Sequence, residues 1–311
     1  MNIFVSGSLA FDNIMDFPDH FRNHILPGKT HNLNVSFLIN SLKTNFGGTA
    51  GNIAYSLALL GERPIILATA GKDFDKYKDW LSIHGVDISH VKIIDNEMTA
   101  TAHIITDKSD NQITAFYPGS MKYPGVALSA GLLSRDSLAI VSPGYMGDML
   151  SYVSSYNKNK VSYIFDPGQQ IPALTPEEIK KGIAGAKIFI SNDYEVSLIL
   201  EKTGWTETDI MGKVEILVTT FGGKGSVIKS KGKIYSIPAA KPKNLKDPTG
   251  AGDAYRAGFI KGLIDGLTLD KIGRLASVVS AYAVETYGTQ NHKFSWKDIQ
   301  ERYIENFKEG I

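Results

Sequence analysis

Short apolar runs recur along the chain, most of them followed by a stretch with helical spacing, and this alternation narrows the fold sharply. A strand covered by helices on both faces reads as a continuous apolar run, and parallel neighbours need a crossover, usually a helix. The runs are Ile3–Val5, Ile65–Thr69, Leu138–Ser142, Tyr163–Asp166, Ile188–Ser191 and Ile216–Thr219. Between and after them, helical patterns fall at Ala50–Leu60, Asp75–His84, Met149–Tyr156, Thr175–Gly182, Glu195–Lys202, Gly252–Asp265, Leu269–Thr286 and Trp296–Lys308. In the first of these, Ile53, Ala54, Leu57 and Leu60 share one face. Gly225–Ser230 and Lys233–Pro238 read as a hairpin. The pattern predicts an α/β fold with a doubly wound, mostly parallel sheet flanked by helices. No linker or repeat divides the 311 residues, so a single domain over 1–311 is expected.

Two segments break the rhythm. Asn32–Leu38 alternates, with Leu33, Val35 and Phe37 on one side; Ala100–Thr106 and Gln112–Tyr117 flank the polar turn Asp107–Asn111 as an antiparallel hairpin. Each is too polar on one face for a fully buried sheet. They predict a small second β-sheet, with strands drawn from about 13–45 and 97–118. Such a sheet either covers a cleft as a lid or merely extends an edge, and the pattern leaves both open.

The formal charge of +1 gives no footprint for nucleic acid or an anionic membrane. The absence of cysteine excludes disulfides, zinc thiolates and thiol nucleophiles. No basic apolar leader is visible and no segment approaches the roughly 20 apolar residues of a membrane helix, so a cytoplasmic protein is expected. Oligomeric state, monomer or homodimer, stays open.

Chemistry gathers at glycine-rich junctions. Asp247-Pro248-Thr249-Gly250-Ala251-Gly252-Asp253 runs into a helix. Amides at a helix start favour an anion, and a carboxylate there can take a proton from a hydroxyl. A glycine turn with Asp253 as an ordinary first-turn residue is the equally weighted plain reading. The Lys-Ser/Thr ending of a Walker loop is missing. Asn45-Phe46-Gly47-Gly48-Thr49-Ala50-Gly51-Asn52 precedes another helix, and Asn52 could bind vicinal hydroxyls; the plainer reading is a tight loop. Thr220-Phe221-Gly222-Gly223-Lys224-Gly225 follows a strand, where glycines receive nucleotide phosphates or simply turn a hairpin. Asn192-Asp193-Tyr194-Glu195 is either a carboxylate ordering water around Mg²⁺ or a helix cap. Asp12, after the first strand, could bind sugar hydroxyls or lie solvated in a loop.

Taken in order, these motifs resemble the PfkB/ribokinase family along nearly the whole chain, and the run continuing Ala254-Tyr255-Arg256-Ala257-Gly258-Phe259 carries most of the resemblance. Gly7–Asp12, Asn34–Leu38, Asp110–Gly119, Asp166–Gln170, Thr203–Trp205 and Gly288–Gln290 look closest to the bacterial and archaeal adenosine and nucleoside kinases of that family. The resemblance implies a ribokinase-like fold with a β lid and ATP-dependent phosphorylation of a nucleoside 5′-hydroxyl. It implies Asp253 as base, with the amides of Gly250, Ala251 and Gly252 as anion hole. It places Asp12, Gly48 and Asn52 on the ribose; Ser8, Ser36, Gln169 and Gln170 around the nucleobase; and Phe116 stacked on it. Asn192, Thr220, Gly222 and Gly225 fall on the ATP side, Glu195 near Mg²⁺, and some relatives use a monovalent cation such as K⁺.

One departure stands out. The resemblance implies a second aromatic opposite Phe116, yet that strand reads Thr99-Ala100-Thr101-Ala102-His103-Ile104, with Ala102 offering no ring and His103 adjacent. A wider slot admits purine nucleosides other than adenosine, or a broader range. The rivals are a ribokinase- or fructokinase-type sugar kinase, a non-catalytic nucleoside sensor, and a dinucleotide oxidoreductase. The last needs Gly-x-Gly-x-x-Gly after the first strand, where Gly7-Ser8-Leu9-Ala10-Phe11-Asp12 stands instead.

Overall fold

The computed structural model describes residues 1–25, 28, 34–109, 111–129 and 131–311. In chain order the elements begin β1 (Ile3–Ser6), β2 (Ala10–Asp16), β3 (Ser41–Gly47), α1 (Thr49–Leu59), β4 (Pro64–Gly71), α2 (Asp75–Ile83), β5 (Val91–Ile94), β6 (Ala100–Thr106) and β7 (Gln112–Tyr117). They continue β8 (Leu138–Val141), α3 (Met146–Asn159), β9 (Ser162–Phe165), α4 (Pro176–Ile183), β10 (Ile188–Asn192), α5 (Asp193–Thr203) and α6 (Glu207–Met211). The chain closes with β11 (Ile216–Thr220), β12 (Ser226–Ser230), β13 (Lys233–Ile237), α7 (Ala251–Ile264), α8 (Leu269–Ala283) and α9 (Trp296–Phe307).

Among the described residues, nine strands form one mixed sheet in the order β13-β12-β11-β10-β9-β8-β1-β4-β5. All neighbours from β5 to β11 are parallel, and β12 and β13 add an antiparallel hairpin at one edge. Successive strand residues point to opposite faces, so each run feeds two cores. Ile3, Val5, Ile66, Ile188, Ile190, Ile216 and Val218 pack with α1, α2, α7 and α8. Phe4, Leu67, Phe189 and Leu217 pack with α3, α4 and α5 on the other face. Burial on both sides is why these strands read as unbroken apolar runs.

A second sheet of four strands has the order β3-β2-β6-β7. The hairpin β6–β7 falls where the sequence places it; the other half does not. Residues 34–39 form no strand, and Asn32 and Leu33 lie outside the described residues. Leu38 is 86% exposed, while Phe37 plugs an aromatic cluster, 4.8 Å from Phe17 and 5.2 Å from Phe21, centroid to centroid. The alternation at Asn32–Leu38 therefore anchors a loop, and the third and fourth strands are β2 and β3. Asp12 sits on a strand rather than in a solvated loop, and Asn45-Phe46-Gly47 ends a strand rather than forming one. No helix among the described residues is long and apolar enough to cross a membrane.

Candidate active site

Strands β1, β8, β9, β10 and β11 run parallel, so their following loops gather at one edge of the large sheet. That edge carries Ser8, Gln169, Gln170, Asn192 and Thr220. The amino end of α7 carries Gly250, Ala251, Gly252 and Asp253. Gly250 is the N-cap at φ 79°, a left-handed conformation that favours glycine, and no side chain caps the helix. Ala251 N donates to the Pro248 carbonyl at 3.2 Å, while the amides of Gly252 and Asp253 have no intrahelical acceptor and are free to meet an anion.

Asp253 lies in that first turn. Its Oδ2 accepts a hydrogen bond from Asn52 Nδ2 at 2.8 Å. Burial pushes its carboxyl up to about 6; the Asn52 bond and the Arg256 charge pull the other way, and Asp166 and Asp12 add to the rise. A base poised near neutrality suits proton abstraction from a hydroxyl. Asp12 is also raised to about 6, by burial and then by Asp247. A Cβ on Gly47 would stand 2.4 Å from Asp12 Oδ2, so glycine there leaves room for the carboxylate.

The small sheet aligns further residues. Cross-strand pairing places Asn45, Asp12, Ala102 and Phe116 in one row, hence on one face. Phe116 is 51% exposed and Ala102 is buried, so the row offers one free ring and a gap where a second would stand.

Arg256, one turn beyond Asp253, is buried and binds the Asp166 carboxylate through two nitrogens, Nη2 reaching Oδ1 at 2.7 Å and Nε reaching Oδ2. Its Nη1 donates to the Gly252 carbonyl at 3.0 Å. The turn that begins α7 is thereby tied to the end of β9. The segment 288–291 makes a second tie. Gly288 N donates to Asp247 at 3.0 Å, Thr289 Oγ1 to the Phe46 carbonyl at 3.0 Å, Gln290 Nε2 to Asn52 Oδ1 at 3.0 Å and Asn291 Nδ2 to Asn45 at 3.1 Å. Neither Arg256 nor Gln290 stands out as a site residue in the sequence; both lie inside stretches that carry the family resemblance, the only signal for them.

The remaining residues are placed unevenly. Ser8 exchanges hydrogen bonds with Thr49, its Oγ accepting the Thr49 amide at 3.0 Å, and so supplies the side-chain cap that Gly48 cannot. Gly48 itself is at φ 86°, and a Cβ there would lie 2.5 Å from the Ser8 carbonyl oxygen. Gln170 Nε2 donates to the Gly144 carbonyl at 2.9 Å, and Gln169 is exposed. Ser36 is exposed in the irregular segment, and nothing among the described residues ties it to the Asp253 cluster. Asn192 and Glu195 form a reciprocal capping box at the start of α5, and Glu195 Oε2 also takes the Ser191 hydroxyl at 2.8 Å. Their plainer role as a cap is thus realised. Gly222 and Gly225 are at φ 55° and 96° in the turn joining β11 to β12. Among the described residues no cluster of three or more His, Asp or Glu side chains could cage a metal.

Comparison with known proteins agrees with this architecture. The chain is 32% identical over 271 residues to a nucleoside kinase of Methanocaldococcus jannaschii, covering 86% of this chain and 89% of that one. The crystal structure of that organism's nucleoside kinase, described as an archaeal member of the ribokinase family, superposes with a TM-score of 0.87 at 29% identity over 98% of this chain and 99% of that one. The nucleoside kinase of Burkholderia thailandensis in complex with ADP and inosine gives a TM-score of 0.86 at 36% identity, covering 99% and 97%. The model of the pfkB family of carbohydrate kinases matches residues 22–296. With that match covering strands of both sheets and the Asp253 turn, the chain belongs to the pfkB carbohydrate kinase family: it is a kinase with a ribokinase-like fold that transfers a phosphoryl group to an alcohol.

Proposed function

We propose that this protein is a cytoplasmic ATP-dependent nucleoside kinase that phosphorylates the 5′-hydroxyl of a purine nucleoside, adenosine among them. The observation that carries the reading is the bond from Asn52 to the raised carboxyl of Asp253, at the amino end of α7 and electrostatically coupled to Asp12 on the small sheet. A carboxylate suited to act as base, a helix start with open amides and two side chains suited to hydroxyls, standing together, support this reading. The similarity to a kinase solved with ADP and inosine supports a nucleoside acceptor over a free sugar.

In this reading Asp12, Gly48 and Asn52 hold the ribose, and Phe116 stacks on the nucleobase from the small sheet, which acts as a lid. Ser8, Ser36, Gln169 and Gln170 surround the base. Asp253 takes the 5′-hydroxyl proton while Gly250, Ala251 and Gly252 amides stabilise charge on the transferring group. Positioning and electrostatics do most of the catalytic work, because a loose phosphoryl transition state asks little covalent chemistry of the protein. Asn192, Thr220, Gly222 and Gly225 receive ATP. Mg²⁺ keeps most of its waters and binds through one or two carboxylates and substrate phosphates, so the lone Glu195, spent partly on its cap, fits a water-mediated role. When bound, the ion neutralises phosphate charge.

ADP release from ATP with adenosine, inosine, guanosine, cytidine, ribose and fructose tests the assignment. Turnover with purine nucleosides and not with free sugars is expected. Turnover with a sugar alone would make it a ribokinase- or fructokinase-type enzyme, and no ADP release with any acceptor would favour a sensor.

A further inference from the structure

Behind Asn52 lies a chain of buried polar groups that the proposed chemistry does not use. Gln290 Nε2 donates to Asn52 Oδ1 at 3.0 Å and also to the Tyr77 hydroxyl. Tyr77 Oη donates to the Gly47 carbonyl at 2.8 Å. Trp80 Nε1 donates to Gln290 Oε1 at 3.1 Å. Asn52, Tyr77 and Gln290 are 5%, 0% and 2% exposed, so water does not substitute for these partners.

The direction of every bond follows from two groups that cannot reverse. An indole N–H only donates, and a backbone carbonyl only accepts. Trp80 therefore requires Gln290 to turn Oε1 toward it, which leaves Nε2 facing Tyr77 and Asn52. The Gly47 carbonyl requires the Tyr77 proton, so the Tyr77 oxygen is free to accept from Gln290. Asn52 must then present Oδ1 to Gln290 and Nδ2 to Asp253. An N–H aimed at a carboxyl oxygen favours the ionised form.

We propose that Trp80 and Gln290 are positioning residues that fix the amide orientation of Asn52 and so hold Asp253 as a hydrogen-bond acceptor, ready to take a proton. The inference rests on Asp253 being the base. Losing Gln290 frees the Asn52 amide to turn its oxygen toward Asp253, which then retains a proton to higher pH; losing Trp80 removes one of the two locks on Gln290 and leaves the Tyr77–Gly47 bond as the other. The charged or titratable groups facing Asp253 are Arg256 on its own helix, Asp12 on β2, Asp166 after β9 and the Tyr77 hydroxyl on α2. Trp80→Phe and Gln290→Met leave all four in place and change no charge.

The test is the pH profile of kcat/KM for a nucleoside the wild type turns over, with the melting temperature of each variant taken alongside. In Gln290→Met the acidic limb should move up by about one pH unit, and in Trp80→Phe by less, because Tyr77 still holds Gln290, with the alkaline plateau kept within about threefold in each. A purely structural role would lower the rate equally at every pH, and an unmoved limb in folded Gln290→Met overturns the proposal. Should Gln290→Met fail to fold, the double variant Tyr77→Phe/Trp80→Phe, which removes both locks and keeps Gln290, decides instead. Asp253→Asn run in parallel separates the two readings: full activity there removes the base assignment itself, whereas an inactive Asp253→Asn with unmoved limbs in the variants removes only the relay.

Discussion

Arg256 grips the carboxylate of Asp166 through two nitrogens while its third donates to the carbonyl of Gly252, so one buried cation joins β9 to the turn that begins α7. Removing one partner of such a pair leaves an uncompensated charge in the interior. Arg256→Met should therefore destabilise the fold by about 3–5 kcal/mol in urea or thermal unfolding. A loss below about 1 kcal/mol would mean that Asp166 finds another partner or stays protonated.

Gly47 makes a different kind of demand, because its absent Cβ is the space that Asp12 Oδ2 occupies. Gly47→Ala should displace the Asp12 carboxylate and raise KM for the acceptor by about tenfold or more, with kcat changed less. An unchanged KM would take Asp12 away from the acceptor.

The pH dependence follows from burial. Asp253 and Asp12 both rise to about 6, and the proposed function needs both ionised, one to accept a proton and one to hold hydroxyls. A raised carboxyl is ionised above its pKa and loses that form as pH falls through it. The acidic limb of kcat/KM should lie near pH 6; a limb near 4, the ordinary carboxylate range, would contradict the electrostatics described.

Phe116 is half exposed on an edge strand, so its ring contributes little to folding. Phe116→Ala should weaken nucleoside binding by about 1–3 kcal/mol in calorimetry while leaving the melting temperature within a few degrees. Equal affinity would reduce the ring to lid support.

The large sheet was legible because strands buried on both faces carry unbroken apolar runs, as Ile188–Ser191 and Ile216–Thr219 do. The small sheet was half legible: β6 and β7 flank a recognisable turn, whereas β2 and β3 have mixed polarity and β3 ends in glycines that read as a loop. Phe37 misled, since its alternation with Val35 serves an aromatic plug. Asp253, Asp12 and Asn52 stand in motifs and are brought together by the fold. The pairs Arg256–Asp166 and Gln290–Trp80 join residues 90 and 210 positions apart, a relation no local pattern encodes.

If Asp253 is the base, removing only its proton affinity should stop the chemistry and spare binding. Asp253→Asn keeps the side chain's size and removes its basicity. Single-turnover phosphoryl transfer should fall by about a thousandfold or more while calorimetric nucleoside affinity stays within about threefold. Transfer at near wild-type rate, with the same affinity, would contradict the account.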